Sequence, residues 1–224
     1  MEQLQRLELL IGKEGVQKLQ RAKIAIFGLG GVGSFVVESL ARSGIGELHI
    51  VDKDTIDITN INRQLYALHS TIGKNKVDVA KNRILDINPN AKVFTYCKNF
   101  NNENIDFSFS KMDYIVDAID DINAKIELIK KAKQANVPII CAMGAGNKLD
   151  PTKFKVADIA ETHTCPLAKT VRKKLNELDI HNVKVVFSTE KSIEKTTSTI
   201  ASCSFVPSVA GLIISSEVIK DIIK

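Results

Sequence analysis

The chain has 224 residues, 44% of them hydrophobic and 25% charged, which excludes a disordered polymer and is enough for one sizeable α/β core. Its net charge of +5 and sequence pI near 8.9 are compatible with a polyanionic partner without requiring one. Four separated cysteines (Cys97, Cys141, Cys165, Cys203) contain no CxxC pair, so no zinc is expected and the thiols suit a reducing cytoplasm; no apolar run reaches the roughly twenty residues of a membrane span.

Residues 2–20 place Leu4, Leu7, Leu10, Ile11, Val16 and Leu19 at helical spacing interrupted at Gly12 and Gly15, which predicts two short helical pieces. From Lys23 a buried strand runs into Gly28-Leu29-Gly30-Gly31-Val32-Gly33-Ser34 and then a helix over Val32 to Ser43, closed by Gly44-Ile45-Gly46. Such a turn binds phosphate: glycines let the backbone approach an anion, and the helix N-terminus adds N–H donors and a positive dipole end. A second strand, Leu48 to Val51, ends in Asp52, positioned to accept hydrogen bonds from a ribose, with Asp54 beside it.

Thr55 to Leu68 predicts a loop with a short helix, and Lys74 to Asp86 a helix ending at Asn88-Pro89-Asn90. Strand Val93 to Tyr96, a loop over Asn99 to Ser110, strand Tyr114 to Val116, helix Asn123 to Ala135 and strand Val137 to Ala142 follow. Strands alternating with amphipathic helices predict a Rossmann-like, doubly wound, mainly parallel α/β sheet. After Gly144-Ala145-Gly146 the alternation fades. Strands Phe154 to Ile159 and Val183 to Phe187, a basic helix Pro166 to Leu178, a polar loop Glu190 to Ser202 and a final helix Val206 to Ile223 are predicted, with both halves sharing one sheet.

Arg63 and Lys76, with Asn60, Asn62 and Gln64 beside the first, bring two cations into one crossover next to the glycine turn. That suits a triphosphate whose pyrophosphate must be stabilised as it leaves, a need a nicotinamide enzyme does not have. Asp117, Asp120 and Asp121 follow a strand end, where carboxylates can hold Mg²⁺ or cap the next helix. Cys203, just ahead of the last helix, is either a nucleophile or a buried structural thiol. Lys169, Arg172, Lys173 and Lys174 share one predicted helix and either meet nucleic-acid phosphates or form a solvated face.

Gly28 to Ser34, Asp52-Lys-Asp54, Asn60-Ile-Asn62-Arg63-Gln64, Gly73-Lys-Asn-Lys76 and Asp117-Ala-Ile-Asp120, in that order, resemble the ubiquitin-activating-type adenylating superfamily, to which ThiF, MoeB and HesA belong. The resemblance implies ATP as cosubstrate, held by the glycines, Ser34, Asp52, Asp54, Asn60, Asn62, Arg63, Gln64 and Lys76, with Asp120 placing Mg²⁺. It further implies a homodimer in which Arg6 reaches the partner's ATP. Gly144-Ala-Gly-Asn-Lys-Leu-Asp150-Pro-Thr152, Asp158-Ile159, Pro166-Leu-Ala168 with Val171-Arg172, Val186 to Glu190 and the Cys203 segment resemble one branch of it, the tRNA threonylcarbamoyladenosine dehydratases.

Members of that branch use ATP to cyclise the threonylcarbamoyl group on adenosine 37 of tRNA, which implies a single adenylating unit over 1–224. Its parts would be an N-terminal arm (1–22), an ATP-binding core (23–145) and a substrate lobe with the C-terminal helix (146–224). The modified tRNA would be the substrate, with Lys169, Arg172, Lys173 and Lys174 contacting it and Cys203 as a candidate nucleophile. The alternative on the same fold is adenylation of the Gly-Gly end of a small ubiquitin-like sulfur carrier. A link to a cysteine desulfurase or sulfur-carrier system stays open.

Overall fold

Strands built from consecutive apolar residues need cover on both faces, unlike strands that alternate apolar and polar. The computed structural model, which describes residues 2–100, 107–193 and 199–224, supplies that cover. The strands are β1 (Lys23–Phe27), β2 (Glu47–Val51), β3 (Lys92–Tyr96), β4 (Tyr114–Asp117), β5 (Ile139–Ala142), β6 (Phe154–Asp158) and β7 (Lys184–Ser188). They form one sheet in the order β3-β2-β1-β4-β5-β7-β6, parallel throughout except for β6, which runs antiparallel to β7 at the edge. The mainly parallel doubly wound sheet predicted from the alternation is what the chain forms, and β6 and β7 extend it.

The α-helices α1 (Gln5–Arg21), α2 (Gly33–Arg42), α3 (Lys76–Ile87), α4 (Ile122–Gln134), α5 (Pro166–Glu177) and α6 (Phe205–Ile223) flank the sheet. Ile24 and Ile26 of β1 point into a core shared with Val36 and Leu40 of α2, Ala80 of α3 and Ile214 of α6. Ala25 and Phe27 point the other way, into a core with Ile129 of α4 and Val171 of α5. This two-residue alternation between two buried layers makes β1 the axis of the molecule.

The two helical pieces expected over residues 2–20 are present: the backbone leaves the helical region at Gly12 (φ 77°, ψ 165°), so α1 is two pieces meeting at a kink. The second expected break is corrected, because Gly15 lies inside the second piece. Gly15 is buried on the packed face together with Val16 and Leu19, and that packing outweighs the propensity deficit of roughly 1 kcal/mol for an interior glycine. The loops expected over 99–110 and 190–202 lie partly outside the described residues.

α6 returns beneath the sheet and is pinned at its end. The Lys184 ammonium and the Tyr114 hydroxyl both donate to the Asp221 carboxylate, at 2.5 and 2.8 Å. Burial opposes ionisation of Asp221, but the donors from Lys184, Tyr114 and Lys224 prevail and bring its pKa down to about 2.

Candidate active site

The strand order reverses direction between β1 and β4, and ligands of open α/β sheets bind beyond the carboxyl ends of strands at such a point. Phe27, the last residue of β1, pairs with Val51 of β2 and with Asp117 of β4, so the loops that follow all three strands emerge together. They open onto a cavity of about 770 Å³.

One wall is the glycine turn. Gly28 has φ of +89°, and a β-carbon there would lie 2.6 Å from the Ala118 carbonyl oxygen; one at Gly33 would fall 1.8 Å from the Gly28 oxygen. Only glycine lets strand, turn and helix close so tightly. Gly28, Gly30 and Gly31 line the cavity, while Gly33 and Ser34 shape the turn from behind. Ser34 is fully buried and its hydroxyl oxygen accepts the Leu65 N–H, tying the turn to the crossover.

The Asp52 carboxylate accepts the Leu29 N–H at 2.6 Å through one oxygen and the Asp54 N–H at 2.8 Å through the other. Burial pushes its pKa up, opposed by the Lys76 charge and these two donors. Each carboxylate oxygen keeps a second lone pair for a ribose hydroxyl. The Lys76 ammonium, with its residue 5% exposed, lies 2.9 Å from Asp54 and 3.9 Å from Asp52.

Arg63 donates through Nη1 to the Thr59 carbonyl and to Asn62 Oδ1, at 3.0 and 2.8 Å, leaving the rest of its five-donor fork for a ligand. Asn60 accepts the Asp57 N–H, and Asn62 reaches across to the carbonyl and hydroxyl of Ser202. Asn60, Arg63 and the buried Gln64 line the cavity, whereas Asn62 stands behind them as a brace.

The three aspartates have three different positions. Asp117 is fully buried and paired at 2.7 Å with the fully buried Lys125, which also donates to the Ala142 carbonyl at the end of β5. Asp121 caps α4 by accepting the Ala124 N–H. Asp120 is exposed and lines the cavity, as does the neighbouring Asp121. The buried pair thus fixes the turn that carries Asp120. Among the described residues no three His, Cys, Asp or Glu side chains gather as a metal cage.

The opposite wall comes from the second half of the chain: Gly144 to Lys148 after β5, Cys165 to Leu167 at the start of α5, and Ser192, Ile200 and Ser202. Cys203 is not on it; the thiol packs at the edge of the core and points at the Lys148 carbonyl oxygen, 3.8 Å away. The cysteine that does line the cavity is Cys165, 4% exposed, whose sulfur caps α5 at Ala168 N–H. The sequence signal for it was the Cys-Pro pair opening a helix. Arg6 is exposed and lies outside the cavity.

The four basic residues of α5 also divide. Arg172 donates to the carbonyl and hydroxyl oxygens of Thr162, and Lys174 to Asn123 Oδ1. Lys169 is exposed, and Lys173 is exposed with Glu177 at 3.9 Å.

Comparison with known proteins bears on this geometry. The ThiF family model matches residues 2–224. A tRNA threonylcarbamoyladenosine dehydratase of Bacillus subtilis (strain 168) is 45% identical, covering 100% of this chain and 96% of that relative. The crystal structure of Escherichia coli tRNA N6-threonylcarbamoyladenosine dehydratase in complex with AMP superposes with a TM-score of 0.89 at 32% identity, covering 96% of this chain and 91% of the other. The same enzyme in complex with ATP gives 0.90 at 31% identity, covering 99% and 93%.

Proposed function

We propose, from the premise that this chain belongs to the ThiF family, that it uses ATP to dehydrate N6-threonylcarbamoyladenosine in tRNA to its cyclic form. The observation that carries the reading is a cavity whose glycine wall suits a nucleotide and whose far wall comes from the half resembling the tRNA-modifying branch. A relative named adenylyltransferase and sulfurtransferase matches a smaller part of the chain, 61% of it, which gives the carrier-adenylating alternative less support.

The chemistry removes water in two displacements. The substrate carboxylate attacks the α-phosphorus of ATP and pyrophosphate departs. The ureido group of the same substituent then attacks the acyl carbon and loses its proton, and AMP leaves with the former carboxylate oxygen as the ring closes. The second step joins groups already on one substituent, so its effective molarity is high and the protein has mainly to bind, orient and exclude water.

In this reading Gly28, Gly30 and Gly31 admit the phosphates to the N-terminus of α2 and Asp52 receives the ribose hydroxyls. Arg63 and Lys76 oppose the charge that grows as pyrophosphate leaves, Lys76 exchanging its Asp54 contact for phosphate oxygen. Magnesium, carried in on the phosphates, would find the Asp120 carboxylate facing it and would neutralise phosphate charge.

A homodimer completes the reading. Arg6 sits on α1 with Leu9 and Leu10, which are 86% and 81% exposed, an apolar pair suited to a second copy, and from that copy Arg6 would reach the site. Among the described residues no helix is long and apolar enough to cross a membrane. A tRNA substrate puts the reaction in the cytoplasm. We take the arm 1–22, core 23–145 and lobe 146–224 to act as one unit.

Pyrophosphate release tests the assignment. ATP should yield pyrophosphate with threonylcarbamoyl-modified tRNA and not with the same tRNA lacking the modification. Release driven by a Gly-Gly carrier protein instead would transfer the assignment to that alternative.

A further inference from the structure

Lys148 is 4% exposed and lines the far wall of the cavity. Its ammonium donates to one group, the backbone carbonyl of Glu190, at 2.5 Å. The Glu190 carboxylate turns away and accepts the Leu149 and Asp150 N–H groups, each at 3.0 Å. Among the described residues no carboxylate lies within ion-pair distance of Lys148. The contrast with Lys76 and Lys125 is direct, since each of those buried ammonium groups has a carboxylate partner within 3 Å.

A buried ammonium facing one neutral oxygen is incompletely compensated: it has three donors, and desolvation of an unpaired charge is unfavourable. A ligand that brings negative charge repairs that deficit. The reaction proposed above requires two anions, a carboxylate and an α-phosphate, to meet in this cavity, and their repulsion raises the barrier unless a cation stands beside them. Arg63 and Lys76 belong to the nucleotide side, and the turn over 144–148 faces them from the lobe side.

We infer that Lys148 receives the carboxylate of the threonylcarbamoyl group, pairing with it on entry and holding it against ATP, so that the protein recognises the modification by its charge. The inference rests on the proposed substrate. Glu190 is its positioning partner, because its carbonyl fixes the ammonium and its carboxylate fixes the turn that carries Lys148.

The test combines two protein variants with two ligands. Lys148→Met removes charge and donor; Lys148→Gln removes charge but keeps a donor for the Glu190 carbonyl. Binding is measured for threonylcarbamoyl-modified tRNA, for the same tRNA unmodified, and for ATP. The wild type should prefer modified tRNA by about tenfold or more, the scale of a hydrogen bond to a charged group. Both variants should lose that preference, binding either tRNA as the wild type binds the unmodified one, with ATP affinity within about twofold of the wild type, less than loss of any charged contact would give.

A preserved preference in Lys148→Gln would overturn the inference and leave Lys148 as a loop latch. Weakened ATP binding with the tRNA preference intact would also overturn it, assigning the charge to the α-phosphate. A wild type that converts modified tRNA while the variants still discriminate it refutes only the role of Lys148. A wild type that neither prefers nor converts it refutes this inference together with the proposed function.

Discussion

The two walls of the cavity are held by different means. On the nucleotide side the contacts are short, buried and tied to strand ends: glycine against backbone, Asp52 on two N–H groups, and Asp117 on Lys125 with neither side chain exposed. On the lobe side loops hold loops. Asn147 exchanges hydrogen bonds with Ala201 and accepts the Ile193 N–H, and Lys148 holds Glu190. Under the proposed function, the groups that would serve any adenylating reaction are tied to the sheet, and those that would choose the acid to be activated sit on segments whose sequence can vary without disturbing it.

The largest effect that would break this contrast is on stability. Asp117→Ala strands Lys125 as a buried unpaired charge and should lower unfolding free energy by about 3–5 kcal/mol. Asn147→Gly keeps the left-handed backbone (φ 56°) but loses the side-chain acceptor for Ala201, and should cost about 0.5–1.5 kcal/mol. Denaturant midpoints decide the matter, and equal losses would mean the walls are not built differently.

Next in size is turnover. Arg63→Ala and Lys76→Ala should each slow the reaction at least tenfold, for about 2–4 kcal/mol of barrier lost with one such contact. Steady-state rates beside unchanged melting curves would locate the effect in the site; near-normal rates in either variant would remove that cation from the nucleotide wall.

The helix below both walls has its own signature. Asp221 titrates near 2 when folded and near 3.8 when free, so the stability it contributes is complete above about pH 4 and disappears as pH falls toward 2. Asp221→Asn should be less stable than wild type at neutral pH and converge with it near pH 2. Parallel stability curves across that range would show that Lys184 and Tyr114 do not hold it.

The smallest effect sharpens the lobe side. Lys169→Gln and Lys173→Gln should each flatten the log–log salt dependence of tRNA binding by about 0.7–0.9, one phosphate contact apiece. Arg172→Gln should leave the slope in place and loosen the turn at Thr162 instead, because its guanidinium is already engaged there. An unchanged slope in both lysine variants would make α5 an ordinary solvated face.

Much of the nucleotide side was legible in the sequence because its signals are local. Glycines must follow a buried strand where the backbone doubles back, and Asp52 directly follows the strand that pairs with β1, so spacing along the chain reports proximity in space. The same locality misleads at Asp117, which reads as one of three similar carboxylates until β4 buries it against Lys125. Lys148 and Glu190 were illegible because 42 residues separate them and neither lies in a periodic element. Cys203 drew attention by preceding a helix, but Cys165 does so too, and only the path of α5 shows which thiol faces the cavity. Of the two glycines in α1, Gly12 does interrupt the helix, whereas Gly15 does not, because local propensity says nothing of the packing that overrides it.

Whether the two walls serve one reaction can be decided by nucleoside mass spectrometry. The protein is incubated with ATP, magnesium and threonylcarbamoyl-modified tRNA, with Arg63→Ala alongside, and the tRNA is then digested. The wild type should convert the modified nucleoside to a species lighter by one water, only with ATP present, and Arg63→Ala should do so far more slowly. An unchanged modified nucleoside, with ATP consumed when a Gly-Gly carrier is supplied instead, would contradict the assignment of the lobe wall to tRNA.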